Sequence, residues 1–330
     1  MKNNIIITTI FEPTKAVKLF ANDKNNHLII AGDKKTPENW TIEESNAKIT
    51  FISCNKPLGY NIEKVLPFNH YCRKMIGYIY ASKNGAEIIY ETDDDNYPKN
   101  NWEFIEEQKD DKNLSTPCDM GFVNVYKYFS KEDIWPRGYP LELINNENHL
   151  INEDKLEQKD LKIGVYQGLV DNEPDVDAIY RLTKNKICNF ENKPSIVLSK
   201  GTVCPYNSQN TFTKKDLFPL LYLPSTVTFR FTDILRGLIA QPLMWIEGYH
   251  LCFSQASAIQ ERNEHDYLKD FESEIPCYLY AQKVVDIANA AICGNSNLKD
   301  NLFRVYSELY RENIVKKEEL NILEAWLKDI

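Results

Sequence analysis

No apolar run in these 330 residues approaches the roughly 20 needed to span a bilayer. The opening MKNNIIITTIF also lacks the basic region, long apolar stretch and cleavage site of a secretory signal. The expectation is a chain with no membrane span, working in the cytoplasm. Cysteine pairing is missing too: the eight cysteines stand singly, with no CxxC pair and no histidine at zinc spacing. They read as reduced, mostly buried thiols, with a structural zinc site as the lesser reading. Nor is there a basic stripe. Lys and Arg total 39 against 48 Asp and Glu, a formal charge of −9, which argues against duplex nucleic acid as partner because phosphate neutralisation needs clustered cations. An anionic small ligand remains open if a few cations converge, or if a metal carries the positive charge. There is no internal repeat.

What is present is an alternation of strand-like and helix-like segments. Ile5 to Ile10 is a β-branched run, and Glu12-Pro13-Thr14 opens a helix through Ala21. Strands follow at His27 to Asp33 and Ile49 to Ile52, a helix at about Asn69 to Lys83, and a fourth strand at Ala86 to Thr92. Such an order predicts an α/β fold with a mostly parallel sheet, whose ligands bind at the carboxyl ends of the strands. The segment Tyr97 to Asp119, with Gln108 to Lys112 at its centre, reads as an exposed excursion, and Ile163 to Tyr166 as a further strand. Beyond Pro276 the chain turns helical, with Leu298, Leu302, Val305 and Leu309 forming one stripe and Leu320, Leu323, Leu327 and Ile330 another. We therefore expect a catalytic domain over 1–295 and a helical extension, 296–330, packed on it.

The strongest local signal is Asp93-Asp94-Asp95 directly after the fourth strand. Adjacent carboxylates repel unless a cation neutralises them, and a hard divalent ion that also grips phosphate oxygens does so. Asp93 and Asp95 are the candidate metal ligands, for Mn2+ or Mg2+, with Asp94 beside the bound cofactor; an acidic surface turn is the bland alternative. Upstream, Asn69 and Arg73 form an i, i+4 pair on the expected helix with Lys74 alongside, placed to meet a pyrophosphate or nucleotide. Thr8, Thr9 and Asp33 lie at strand ends where a nucleoside would sit. In the second half, Arg137 stands in the tight turn Pro136-Arg137-Gly138. Asp175 and Asp177 offer either hydroxyl recognition or a cap for a helix starting near Ala178, with Arg181 following. Asp233 and Arg236, a turn apart, offer either a catalytic carboxylate and guanidinium or a structural salt bridge.

The segments TTIFEPT, ETDDDNYP, WPRGYPL, GLVDNEPDVDAIYRLT, FRFTDILRG and QERNEHDYL together resemble the glycosyltransferase-like domain of the STELLO proteins, from about Ile5 to Ala291. A subset, DDD, RGYPL and NEPDVDA, is also similar to the reversibly glycosylated polypeptides, the UDP-arabinopyranose mutases. The resemblance implies a GT-A-type nucleotide-sugar-binding fold, a UDP-sugar and an acceptor as partners, and a divalent metal at the aspartate cluster. In the mutases an arginine of the RGYP segment becomes glycosylated, and Arg137 corresponds to it. The leading expectation is a metal-dependent glycosyltransferase, with mutase activity as runner-up and a non-catalytic nucleotide-sugar-binding scaffold third. The Golgi membrane anchor of the STELLO proteins does not carry over to this sequence.

Overall fold

The computed structural model describes residues 3–104, 113–261 and 266–330. Its strands are β1 (Asn3–Thr9), β2 (Asn26–Gly32), β3 (Lys48–Ile52), β4 (Ile88–Thr92), β5 (Asn96–Pro98), β6 (Asn113–Ser115), β7 (Gly121–Phe122), β8 (Glu157–Lys159), β9 (Lys162–Asn172), β10 (Ile196–Leu198), β11 (Thr202–Val203), β12 (Asn210–Lys214) and β13 (Tyr249–Gln260). The helices are α1 (Lys15–Phe20), α2 (Lys74–Lys83), α3 (Val125–Tyr128), α4 (Ala178–Thr183), α5 (Thr232–Ile246), α6 (Tyr267–Ala291), α7 (Leu298–Arg311) and α8 (Glu318–Asp329).

The fold is α/β. The centre of the main sheet runs β3-β2-β1-β4-β12-β9-β13, mostly parallel, with β12 alone reversed between β4 and β9. β13 continues antiparallel into β10, and β5 pairs with its far end. The isoleucines of β1 show why the sheet is buried on both sides. Ile5 and Ile7 join one core with Val17 and Phe20 of α1, whereas Ile6 faces the other with Met75, Ile76 and Ile79 of α2. Gly77 brings α2 down onto the sheet, since a Cβ there would stand 2.6 Å from Ile6 Cγ2.

Helices α5 to α8 cover the second face. Leu298, Leu302, Val305 and Leu309 are all buried at helical spacing, and Trp326 donates its Nε1–H to the Pro219 carbonyl at 2.9 Å. Asp329 accepts from Asn61 Nδ2 and the Ile62 amide, each at 2.8 Å, so the last helix closes back on the first third of the chain. Residues 296–330 thus share one core with the strands. No helix among the described residues is long and apolar enough to cross a membrane.

Three sequence expectations change. Asn69 is not helical: its φ of 54° is left-handed, and the chain turns through a 3-10 segment at Tyr71–Arg73 before α2 begins. Pro276 lies inside α6, which starts at Tyr267 because the Asp266 carboxylate caps the Leu268 and Lys269 amides; burial of Glu274, Cys277 and Ala281 on one face carries the helix through the proline. The excursion after β5 is not simply exposed: Trp102 and Phe104 pack on Phe212, and β6 joins β10. Its charged centre, 108–112, lies outside the described residues, as does 262–265 of the QERNEHDYL segment. The sheet is mostly parallel as expected, with β12 returning antiparallel against β4.

Candidate functional site

β1, β2 and β4 end side by side, and the chain leaving them opens a cleft of about 350 Å³. That volume lies in the range of small-molecule sites. Thr8, Thr9, Ile10 and Phe11 come from the end of β1, Asp33 and Lys35 from the end of β2, and Asp93, Asp94 and Asp95 from the end of β4. Asn69, His70 and Tyr71 lie in the turn before α2. The opposite side is closed by Arg137, Phe229, Arg230, Asp233 and Gln260.

The three aspartates point to different partners. Asp94 is bonded by the Thr9 hydroxyl, and its backbone carbonyl accepts from Thr14 Oγ1 at 2.5 Å, so the turn is pinned to the start of α1; burial pushes the Asp94 carboxyl above its usual range. Asp95 Oδ2 accepts from Gln260 Nε2 at 3.0 Å. Asp93 Oδ1 accepts from the Tyr71 hydroxyl at 2.7 Å and from Lys74 Nζ at 3.0 Å. Lys74 is fully buried, and its ammonium satisfies itself on Tyr71 Oη, Asp93 and the Ser208 carbonyl. The lysine thus backs the aspartate from inside the protein and leaves the cleft side of Asp93 open. Burial, then the Asp93 charge, holds the Tyr71 phenol well above its ordinary value. Burial also lowers His70, partly countered by Asp33, which favours the neutral imidazole.

Across the cleft, Arg137 is gripped on three sides. Its Nε and Nη2 donate to Asp175 at 2.8 and 2.7 Å, Nη1 and Nη2 to Asp233 at 3.2 and 3.3 Å, and Nη1 also to the Arg230 carbonyl. Burial alone would lower its pKa, but the two carboxylates hold the guanidinium well above its usual value. Gly138, at φ 85°, makes the turn that presents it, and a Cβ there would collide with Ile234 Cγ2 at 2.4 Å. Asp233 further accepts from the Ser208 amide at 3.3 Å, and with the Tyr71 proton on Asp93 the Ser208 hydroxyl, 2.7 Å from Tyr71 Oη, donates to that oxygen. A hydrogen-bonded chain therefore runs from Asp93 through Tyr71 and Ser208 to Asp233.

Of the residues singled out from sequence, Thr8, Thr9, Asp33, Asn69, Asp93, Asp94, Asp95, Arg137 and Asp233 line the cleft. The others are corrected. Arg236 is buried beneath the sheet in a bidentate pair with Glu91 at 2.7 and 2.9 Å, with Tyr78 on the same carboxylate. Asp175 backs Arg137 and accepts from Asn207 Nδ2 at 2.9 Å. Asp177 caps α4 through the Tyr180 amide at 2.8 Å and receives the Trp135 indole at 2.7 Å. Arg181 donates to the Pro174 carbonyl at 2.9 Å, and Arg73 lies against the Phe68 ring, its centre 4.9 Å away. Lys74 reaches the acidic turn only from behind. Sequence reasoning missed Ile10, Phe11, Lys35, His70, Tyr71, Phe229, Arg230 and Gln260 as cleft residues. Arg230 and Phe229 were visible in the FRFTDILRG segment and Gln260 opens the QERNEHDYL segment; Tyr71 carries no local signal.

Among the described residues no three His, Cys, Asp or Glu side chains converge as a ready-made metal cage. The cleft carries five carboxylates against three cations, Lys35, Arg137 and Arg230. Both arginines are already matched by buried acids, since Arg230 bonds Glu274 at 2.7 Å. Carboxylate oxygens such as these are the kind that would suit a hard divalent cation.

A family model of the STELLO glycosyltransferases matches residues 230–330. The probable glycosyltransferases STELLO1 and STELLO2 of Arabidopsis thaliana are each 25% identical to this chain, over 345 and 344 residues. Each alignment covers 99% of this chain and 44% of the relative, so the chain spans less than half the length of the curated relatives it matches. Among solved structures, glucosyl-3-phosphoglycerate synthase from Mycobacterium tuberculosis, in complex with phosphoglyceric acid, aligns with a TM-score of 0.41 and 11% identity over 90% of this chain and 81% of its own. GalNAc-T7 with UDP, GalNAc and Mn2+ aligns with a TM-score of 0.35 and 8% identity over 100% of this chain and 56% of its own.

Proposed function

We propose that this chain, which carries a STELLO-like glycosyltransferase domain, is a GT-A-type enzyme that moves a sugar from a nucleoside diphosphate, UDP in the first instance, to an acceptor hydroxyl. The observation that supports this most is the charge balance of the cleft. Its carboxylates outnumber its cations, and the balance stays negative when the buried groups behind it are added, Lys74 behind Asp93 against Asp175 and Glu274 behind the arginines, so a diphosphate would need a divalent cation to bind there.

In this reading Asp93 and Asp95 would hold Mn2+ or Mg2+, which would supply positive charge to the leaving diphosphate. Lys74 and Tyr71 fix Asp93 from behind, and Gln260 fixes Asp95. Thr8, Thr9 and Asp33 meet the nucleoside at the ends of β1 and β2. Asp233 faces the acceptor. As the bond from the anomeric carbon to the diphosphate oxygen breaks and the bond to the acceptor oxygen forms, Asp233 takes the acceptor hydroxyl's proton, and the nucleoside diphosphate leaves. Arg137 orients Asp233. The mutase reading is not favoured by this geometry: the guanidinium that would have to attack the sugar is held in its charged form by two carboxylates, with each nitrogen already donating. Residues 1–295 supply all the groups named, and 296–330 act as their support.

Titration calorimetry with UDP, with and without Mn2+, tests the reading on native protein and on Asp95→Asn, whose amide can still meet Gln260. Native affinity should depend on Mn2+, and the variant should lose at least about tenfold of it with its melting temperature retained. Metal-independent UDP binding, equal in both proteins, would sink the proposal.

A further inference from the structure

Phe229 is 59% exposed, yet it stands on one of the most firmly tied segments of the cleft. The Thr228 hydroxyl donates to the Ser273 carbonyl at 2.5 Å, and the Arg230 amide donates to Ser273 Oγ at 3.3 Å. Arg230 Nε and Nη2 grip Glu274, a buried carboxylate on α6, at 2.9 and 2.7 Å. Upstream, Glu319 of α8 receives the Ser225 and Thr226 amides at 3.0 and 2.7 Å. The ring meets Tyr71 and His70 edge to face, at centroid distances of 5.8 and 6.5 Å. A large apolar ring held this rigidly toward a cavity is preorganised for a ligand rather than left over on a surface.

We propose that Phe229 is the platform on which a sugar ring of the acceptor stacks. The inference rests on the donor reading above and adds the acceptor's class, a pyranoside. A pyranose presents an apolar C–H face and an edge of hydroxyls. Phe229 offers the flat apolar surface, and Arg230 and Asp233, one and four residues further along, line the same cleft with groups that bond hydroxyls. The nucleoside end of the cleft has its own exposed ring, Phe11, beside Thr9 and Asp33 at the ends of β1 and β2. Phe229 instead belongs to the segment that enters α5, the element carrying Asp233.

Saturation-transfer NMR with methyl β-D-glucopyranoside, β-D-galactopyranoside, β-D-xylopyranoside and α-D-mannopyranoside, each with and without UDP and Mg2+, tests this on native protein, Phe229→Leu and Phe229→Tyr. UDP affinity is measured on the same samples. The native protein should bind at least one pyranoside, with transfer strongest to the protons of one ring face. Phe229→Leu should bind it roughly tenfold more weakly, and Phe229→Tyr should restore it. Loss of UDP affinity in Phe229→Leu, with pyranoside binding unchanged, would make the ring a nucleobase contact and overturn the proposal. So would UDP binding with no pyranoside bound in the native protein. Pyranoside binding that depends on Phe229 in a chain with no UDP affinity would strike the donor reading and leave the platform standing.

Discussion

The two sides of the cleft solve one electrostatic problem with opposite signs. On the aspartate side three carboxylates from one turn face inward, and a fully buried lysine stands behind the first of them. On the arginine side Arg137 and Arg230 face inward, and buried carboxylates, Asp175 and Glu274, stand behind them. In both, a charge is fixed by its opposite from the interior, which spares side-chain entropy when a ligand arrives. They differ in enclosure: Asp93's side chain keeps 30% of its surface in contact with solvent, whereas Arg137 and Asp175 keep 5% and 7%. The arginine side should therefore be the more costly to disturb.

Removing the cation from the arginine side should have the largest effect. Arg137→Met removes the guanidinium that Asp175 and Asp233 share, leaving the two buried carboxylates with Asn207, the Ser208 amide and the more distant Arg230, and a loss of about 3–5 kcal/mol in unfolding free energy is expected. Urea denaturation measures it, and a loss below about 1 kcal/mol would erase the contrast drawn here.

The next effect concerns the support of the same side. Asp177 holds Trp135, two residues before Arg137, and burial raises its pKa from 3.8 to about 6. The unfolded chain releases this proton near pH 4 and the folded chain holds it to about 6. The unfolded state then binds fewer protons across that window, so this group's contribution to stability is complete below pH 4 and is lost as pH rises to about 6. The decline amounts to roughly 2–3 kcal/mol. Asp177→Asn, which keeps an oxygen for the Tyr180 amide, should lose less stability than the native protein between pH 4 and pH 7. Parallel urea midpoints across that range would refute the assignment.

The smallest effect is expected on the aspartate side. Lys74→Met removes the buried ammonium, but Asp93 can turn to water, so the cost should be about 1–2 kcal/mol by the same urea method. A loss equal to that of Arg137→Met would mean that the two sides are equally enclosed.

This contrast also explains which parts of the site could be read in advance. The aspartate turn follows a run of buried residues in β4 and is contiguous in sequence, so its place at a strand's carboxyl end was legible. So were Thr8, Thr9 and Asp33, at the ends of strands whose isoleucine runs are plain. The helical spacing of Leu298, Leu302, Val305 and Leu309 gave α7 without reference to anything else. The arginine side was legible only as a set of charged turns. Spacing placed Asp233 and Arg236 a turn apart, but α5 sends the first into the cleft and the second to Glu91. Asp177 offered both a cap and a ligand, and the structure uses the cap.

Local chain geometry, by itself, determined the strand and helix order of the first third of the chain, the acidic turn and the sites where caps and tight turns fall, because these depend on neighbours within a few residues. Tertiary structure alone decided which charge meets which. Arg137 lies 38 and 96 residues from its two carboxylates, and Lys74 lies 19 residues from Asp93. At such separations a lysine or arginine has many acids as possible partners. The choice is made by burial, since only the pair that the packed sheet and helices bring together can shed its water and remain charged.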